Sequence, residues 1–383
     1  MAAWYDERRE AQARAYDRLQ GLLFLLRFAL LFALATLFWT SGLARTLADG
    51  LRNWFPFSYA WPLICGCFAA LAAFGYETLL FPLSVLADFT LERAYGRLEA
   101  EFGAWLRGFV VTMLLEIGLV AAGFTGLLTL MRLYPEWGWL AATAAYALLV
   151  PGLGEWGPSW LLPRVRPPVP ANDAELEREL RRVGQAAGLE IEGAAWWNFE
   201  HQEELDDVRL TGLGRRRRAV FSEQAWRRLG RREQVFLAAR HVAWHRRGAA
   251  LGLQALQIAL AGGVFWGAAR GVEWAARARG LPGATAPETF PFWMLALFGL
   301  AAVAGVIAAA AARRGELSAD RFALRAAGGE EVLLSCLRQR FAREPFAVDA
   351  PGWQVALLRR TPTPAQRLAQ ARTWARAAAE KPT

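Results

Sequence analysis

Three histidines occur in 383 residues, His201, His241 and His245, and two of them stand four apart in Arg240-His241-Val242-Ala243-Trp244-His245. The surrounding pattern reads as a helix, on which positions i and i+4 share a face, so both imidazoles can turn toward one metal ion. Two histidines on an amphipathic helix are also an ordinary surface arrangement, and the pair alone does not decide between the two. A second run, Glu316-Leu317-Ser318-Ala319-Asp320, follows the last apolar block of the chain. Glu316 offers zinc a third, carboxylate ligand. Asp320, one turn later, offers an acceptor that orients a ligating imidazole. The plainer reading is a solvated helix start, where acidic residues suit the positive end of the helix anyway.

The elements that must position these residues are mostly membrane helices. Hydrophobic residues make up 55% of the chain, and they come in blocks rather than periodic stripes. Blocks of about twenty apolar residues exclude both an ordinary soluble globule and a disordered chain. Apolar spans are expected at 20–40, 58–84, 108–131, 136–156, 249–272 and 290–312, about six in all. Arg27 and Glu116 interrupt them, and intramembrane charge is a functional hint by default. Arg27 lies near a span end, which points to snorkelling toward the interface.

The formal net charge is +9, and every basic residue but Lys381 is Arg. Arginine concentrates in 1–19, 85–107, 157–248 and 313–383. Segment 41–57 holds only Arg45 and Arg52, and 273–289 only Arg277 and Arg279. Six spans put the four rich segments on one side, which the positive-inside rule makes cytoplasmic. The expected setting is a bacterial inner membrane with the N-terminus inside. Charge of this origin marks orientation and lipid contact rather than a nucleic-acid site. No small-residue cleavage site follows a short apolar core, so no cleaved signal peptide is expected. Cys65, Cys67 and Cys336 are too few for a disulfide framework.

The chain then divides into an amphipathic segment 1–19, a membrane region 20–156 with about four spans, and a first soluble part 157–248. Two further spans over 249–312 and a second soluble part 313–383 complete it. The Pro-rich entry from Pro158 to Pro170 is extended. Asn172 or Asp173 caps a helix over 174–187 that ends at Gly188, and Gly212 and Gly214 form a turn before a strand at Ala219-Val220-Phe221. One helix begins at Ser222 and another covers 231–247. The Arg215-to-Arg218 run is either a contact for anionic lipid or a solvated turn, and His201 reads as a surface histidine.

Five blocks, in order, resemble the integral-membrane zinc metallopeptidases related to the CAAX prenyl endopeptidase. Residues 90–107 are similar to the family's Ile-Glu-x-x-x-Gly signature at Glu92, Gly96 and Trp105. Residues 207–221 are similar to its substrate strand, and 233–245 fall at its His-Glu-x-x-His helix. Residues 316–320 match Glu-x-x-Ala-Asp, and Thr361-Pro362 to Arg367 resemble the closing His-Pro-x-x-x-x-Arg. The resemblance implies a mainly α, polytopic membrane protein with a cytoplasmic zincin-like α+β domain. It implies zinc on His241, His245 and Glu316, with Asp320 behind them. Asp207, Val208 and Gly212 would lie along bound extended peptide.

Departures from the family weigh as much as the matches. Val242 takes the place of the motif glutamate, the base that removes a proton from metal-bound water. No intact catalytic residue is therefore expected, and losing such a base costs about 10²–10⁴-fold. Asp207 and Val208 replace an Asn-Ala pair, Trp244 fills a position that is usually small, and Thr361 replaces a histidine. A rival alignment through Trp244 removes both ligands; the one adopted keeps both. Three functions follow: a pseudoprotease that keeps zinc and binds peptide or a membrane partner, a working zinc metalloendopeptidase at the cytoplasmic membrane face, or a metal-free membrane scaffold.

Overall fold

Apolar blocks with no internal polar periodicity fold as long helices, because only a helix satisfies its own backbone in hydrocarbon. A computed structural model of the chain describes residues 4–57, 59–151, 164, 167–197, 208–212, 217–246 and 249–379. Five helices among them are long and apolar enough to cross a membrane: Glu7–Thr40, Trp61–Ala94, Phe102–Leu133, Ala250–Ala278 and Pro287–Ala327. A shorter apolar helix, Gly138–Pro151, begins where a further span is expected. The protein is a polytopic helical membrane protein. His201, Asp207 and most of the Pro-rich entry lie outside the described residues.

The chain forms two compact units. One contains 15–146 and 259–304, and its core is built around Phe68, Leu128 and Trp293, all fully buried. The segment 41–57 is not a plain loop: Gly42, at φ 81°, turns the chain into a short helix, Leu43–Trp54. Ala44, Ala48 and Leu51 bury one face of that helix. Arg52 then pairs with the buried Glu288 at 2.7 Å, and Arg45 donates to the Arg279 carbonyl at 3.1 Å. The two arginine-poor segments thus meet.

Arg27 is paired with an acidic side chain of the next apolar helix. Its guanidinium lies 2.7 Å from Asp88 Oδ2 and 3.4 Å from Ser84 Oγ, next to a π-helical turn over Val85–Thr90. Pairing inside the unit is cheaper than leaving either charge facing lipid alone. Glu92 accepts hydrogen bonds from the Tyr16 hydroxyl and from Gln20, and the Arg97 guanidinium sits 4.1 Å over the Tyr16 ring. The segment 7–19 is the first part of the helix that continues into the span, rather than a separate surface helix.

The second unit contains 1–14, 147–258 and 305–383. Its four-stranded sheet runs β1 (Val169–Pro170), β2 (Ile191–Trp197), β4 (Arg217–Ser222), β3 (Val208–Thr211). Strands β2 and β4 are parallel, while β1 and β3 are antiparallel to their neighbours. Asp173, not Asn172, caps the helix Ala174–Ala187 by accepting from the backbone N–H of Glu175 and Leu176. That helix ends at Gly188 with φ 72°, a left-handed conformation that glycine adopts without strain. Ser222 caps Glu223–Arg228 by accepting from the Ala225 N–H. Leu176, Leu180, Phe221, Phe236, Leu324 and Leu333 form the core, so residues from both soluble parts of the sequence bury one another.

Candidate functional site

The site is built where the helix Arg231–Trp244 meets the helix Phe290–Ala327. Glu316 marks the meeting point. Its Oε2 lies 2.5 Å from Arg240 Nη2, and its Oε1 accepts a hydrogen bond of 3.1 Å from the Trp244 indole N–H. One turn along, the fully buried Asp320 sits 2.6 Å from Arg240 Nε and accepts two hydrogen bonds from Arg367, at 2.7 and 2.9 Å. Two guanidiniums and two carboxylates therefore form one closed, neutral cluster. Burial opposes the Arg240 charge, but Asp320 and Glu316 more than offset it and raise the pKa of Arg240. Arg367 moves the other way: burial and the Arg240 charge lower its pKa against the pull of Asp320.

The residues facing Glu316 are thus Arg240 and Trp244, which are four apart, and not His241 and His245. Trp244 is seated against Gly315: a Cβ there would run into the six-membered ring of the indole. His241 is partly buried, and burial, with help from the charges of Arg240, His245 and Arg209, pushes its pKa down to about 3. Its ring is neutral at pH 7. His245 is exposed, and its Nδ1 lies 2.9 Å from the His241 carbonyl. Because a carbonyl only accepts, Nδ1 is the donor in that contact.

Val242 is fully buried in the apolar core with Val208, Leu210 and Phe221. It packs as a core side chain. Strand β3 places Val208 and Leu210 in that core, and Gly212 follows with φ 86°. Asp207 lies outside the described residues. Position β3 at the end of the sheet leaves its outer edge without a strand partner among the described residues.

The sequence resemblance raises the question of zinc, and the donor set bears on it. Zinc is held by imidazole, thiolate or carboxylate. Among the described residues no group of three His, Cys, Asp or Glu side chains gathers to hold a metal, so His241, His245 and Glu316 are not brought together as one ligand set. The two side chains that do reach Glu316 are a guanidinium and an indole N–H, which donate hydrogen bonds and have no lone pair for a metal. Asp320, expected behind an imidazole, is fully engaged by arginines. The residues present do not fit zinc.

Reading the sequence for histidines passed over Arg240, Trp244 and Arg367 as a working set. The signal was available: Arg240 and Trp244 share the i, i+4 spacing of the two histidines. Two acidic residues one turn apart, beside an apolar span, also call for cationic partners.

No family model matches this chain, and no curated protein matches it in sequence. Among solved structures it is similar to the crystal structure of S. mikatae Ste24p, with a TM-score of 0.73 at 14% identity. The match covers 97% of this chain and 90% of that one. The two share a fold over nearly their whole length.

Proposed function

We propose that this chain is a membrane protein of metallopeptidase fold that binds an extended peptide or a membrane partner without hydrolysing it. One observation carries the reading: Glu316 and Asp320, the acidic pair of the Glu-x-x-Ala-Asp block, are neutralised by Arg240 and Arg367 and capped by Trp244. A zinc peptidase needs such a glutamate free for the metal, and a base near the metal-bound water. Here the glutamate is tied up, Val242 is in the core, and His241 is too weak a base at pH 7. A conjugate acid with a pKa of about 3 gives little drive for taking a proton from water.

Binding draws on what the site retains. The outer edge of β3 offers backbone donors and acceptors to an extended chain, which is recognition by strand addition. Both the Ste24p-like fold and the sequence blocks that resemble the CAAX prenyl endopeptidase family support a peptide-facing surface. The cytoplasmic placement of this unit rests on the arginine distribution.

The test uses the purified full-length protein in detergent or nanodiscs, with zinc content and cleavage of a fluorogenic peptide library as readouts. Less than a tenth of an equivalent of zinc and no cleavage above buffer are expected. One tight zinc per chain that His241→Ala or His245→Ala removes, with cleavage that falls alongside it, would restore His241, His245 and Glu316 as a working ligand set and defeat the proposal.

A further inference from the structure

Helical register decides which residue of this helix does which job. In a two-histidine zinc helix the first and fifth motif positions hold the metal beside the carboxylate ligand, and the second carries the general base. The positions that reach Glu316 here are 240 and 244, which makes 241 the second position and leaves 242 to the core. On that register all three working positions are changed, to Arg240, His241 and Trp244.

We infer that the site is a metal centre rebuilt around an internal cation: the Arg240 guanidinium supplies the positive charge that a metal would bring to Glu316, and the Trp244 indole fills the remaining ligand position. This rests on the metallopeptidase-fold reading above. Three features of the structure support it independently of sequence resemblance. First, the charges close to zero within one cluster, since Arg240 and Arg367 face Glu316 and Asp320 and no further cation is needed. Second, Glu316 uses both oxygens, one on the guanidinium and one on the indole N–H, so each oxygen already has a protein donor where a metal ligand would need to face a metal. Third, Gly315 is fitted to the indole: any side chain at 315 would collide with it.

The substitution set that tests this is Arg240→His, His241→Glu and Trp244→His together, in the full-length chain. The variant and the native protein are dialysed against zinc chloride and then against buffer, and bound zinc is measured by plasma mass spectrometry. About one zinc per chain is expected in the triple variant and none in the native protein. Adding Glu316→Gln to the triple variant is expected to weaken zinc by more than ~100-fold, since outer partners alone are worth 10–100-fold. A triple variant that melts cooperatively yet holds no zinc, or holds it regardless of Glu316, would overturn the inference. Neither result bears on whether the native protein cleaves peptide, so the two proposals fail separately.

Should the triple variant not fold, a smaller pair decides. Gly315→Ala is expected to lower the melting temperature of the native protein by several degrees through the collision with Trp244. In a Trp244→His background the same change is expected to be neutral or to raise it, because alanine favours helix over glycine. Equal losses in both backgrounds would remove Trp244 from its position over Gly315, and the register with it.

Discussion

At the scale of single residues, the site is governed by the cost of buried charge. Asp320 is fully buried between two guanidiniums, so Asp320→Asn leaves both without their shared counter-charge. Breaking a buried pair in this way costs about 3–5 kcal/mol. A matching loss in the thermal unfolding of Asp320→Asn, with Glu316→Gln costing less, is the expected result. His241 adds a pH dependence with a definite sign. Its folded-state pKa is lowered to about 3, against an unfolded value near 6.5, so the unfolded chain binds the proton more readily. The stability it contributes is whole above about pH 6.5 and falls away as the pH drops toward 3. Melting curves of the native protein should therefore decline more steeply between pH 7 and pH 4 than those of His241→Gln. Parallel slopes would show that the imidazole is as well solvated in the fold as in the unfolded chain.

The helix Arg231–Trp244 shows how an element can be recognised while its face is misassigned. Capping residues and apolar spacing mark its existence and approximate limits, just as Asp173, Gly188 and Ser222 mark those of its neighbours. All of these are local signals, legible without a fold. Which residues turn toward Glu316 is a different matter, because Glu316 lies at the far end of the second membrane helix further along the chain. A one-residue shift on a helix rotates a side chain by about 100°, enough to exchange a core position for a site position. Val242 and His241 are separated by that shift. Placing a carboxylate at 242 therefore buries it in the apolar core: Val242→Glu is expected to destabilise the protein by several kcal/mol and to create no peptidase activity. Activity gained by that single change would return 242 to the base position and require a different helix register.

Across the whole molecule, charges on and between the apolar helices are held in ion pairs. Arginine-poor segments 41–57 and 273–289 fold against each other through Arg52–Glu288, while Arg27 of the first long apolar helix pairs with Asp88 of the next. The Arg27–Asp88 pair makes a prediction of its own. Arg27→Leu strands Asp88 and is expected to cost up to ~3 kcal/mol, the scale of one uncompensated charge in a membrane helix. Arg27→Leu with Asp88→Leu should recover most of that loss, a comparison read from melting temperatures in nanodiscs. No recovery would mean that each charge faces water independently.

Sequence alone was enough for the apolar blocks, the mainly helical membrane fold, the capped helices and the strand through Val220. Those follow from transfer free energy and local backbone chemistry, which act over one span or one turn. It was also enough to flag Glu316, Asp320 and the short histidine-bearing helix as belonging together. Tertiary structure decided the rest: that Arg27 is paired, that Val242 is core, and that Arg240 and Trp244 rather than two histidines meet Glu316. These depend on side chains distant in sequence sharing one small, poorly solvated space, where a buried carboxylate must find its cation. Composition lists the candidates for that partner, and only the packing of two helices selects one.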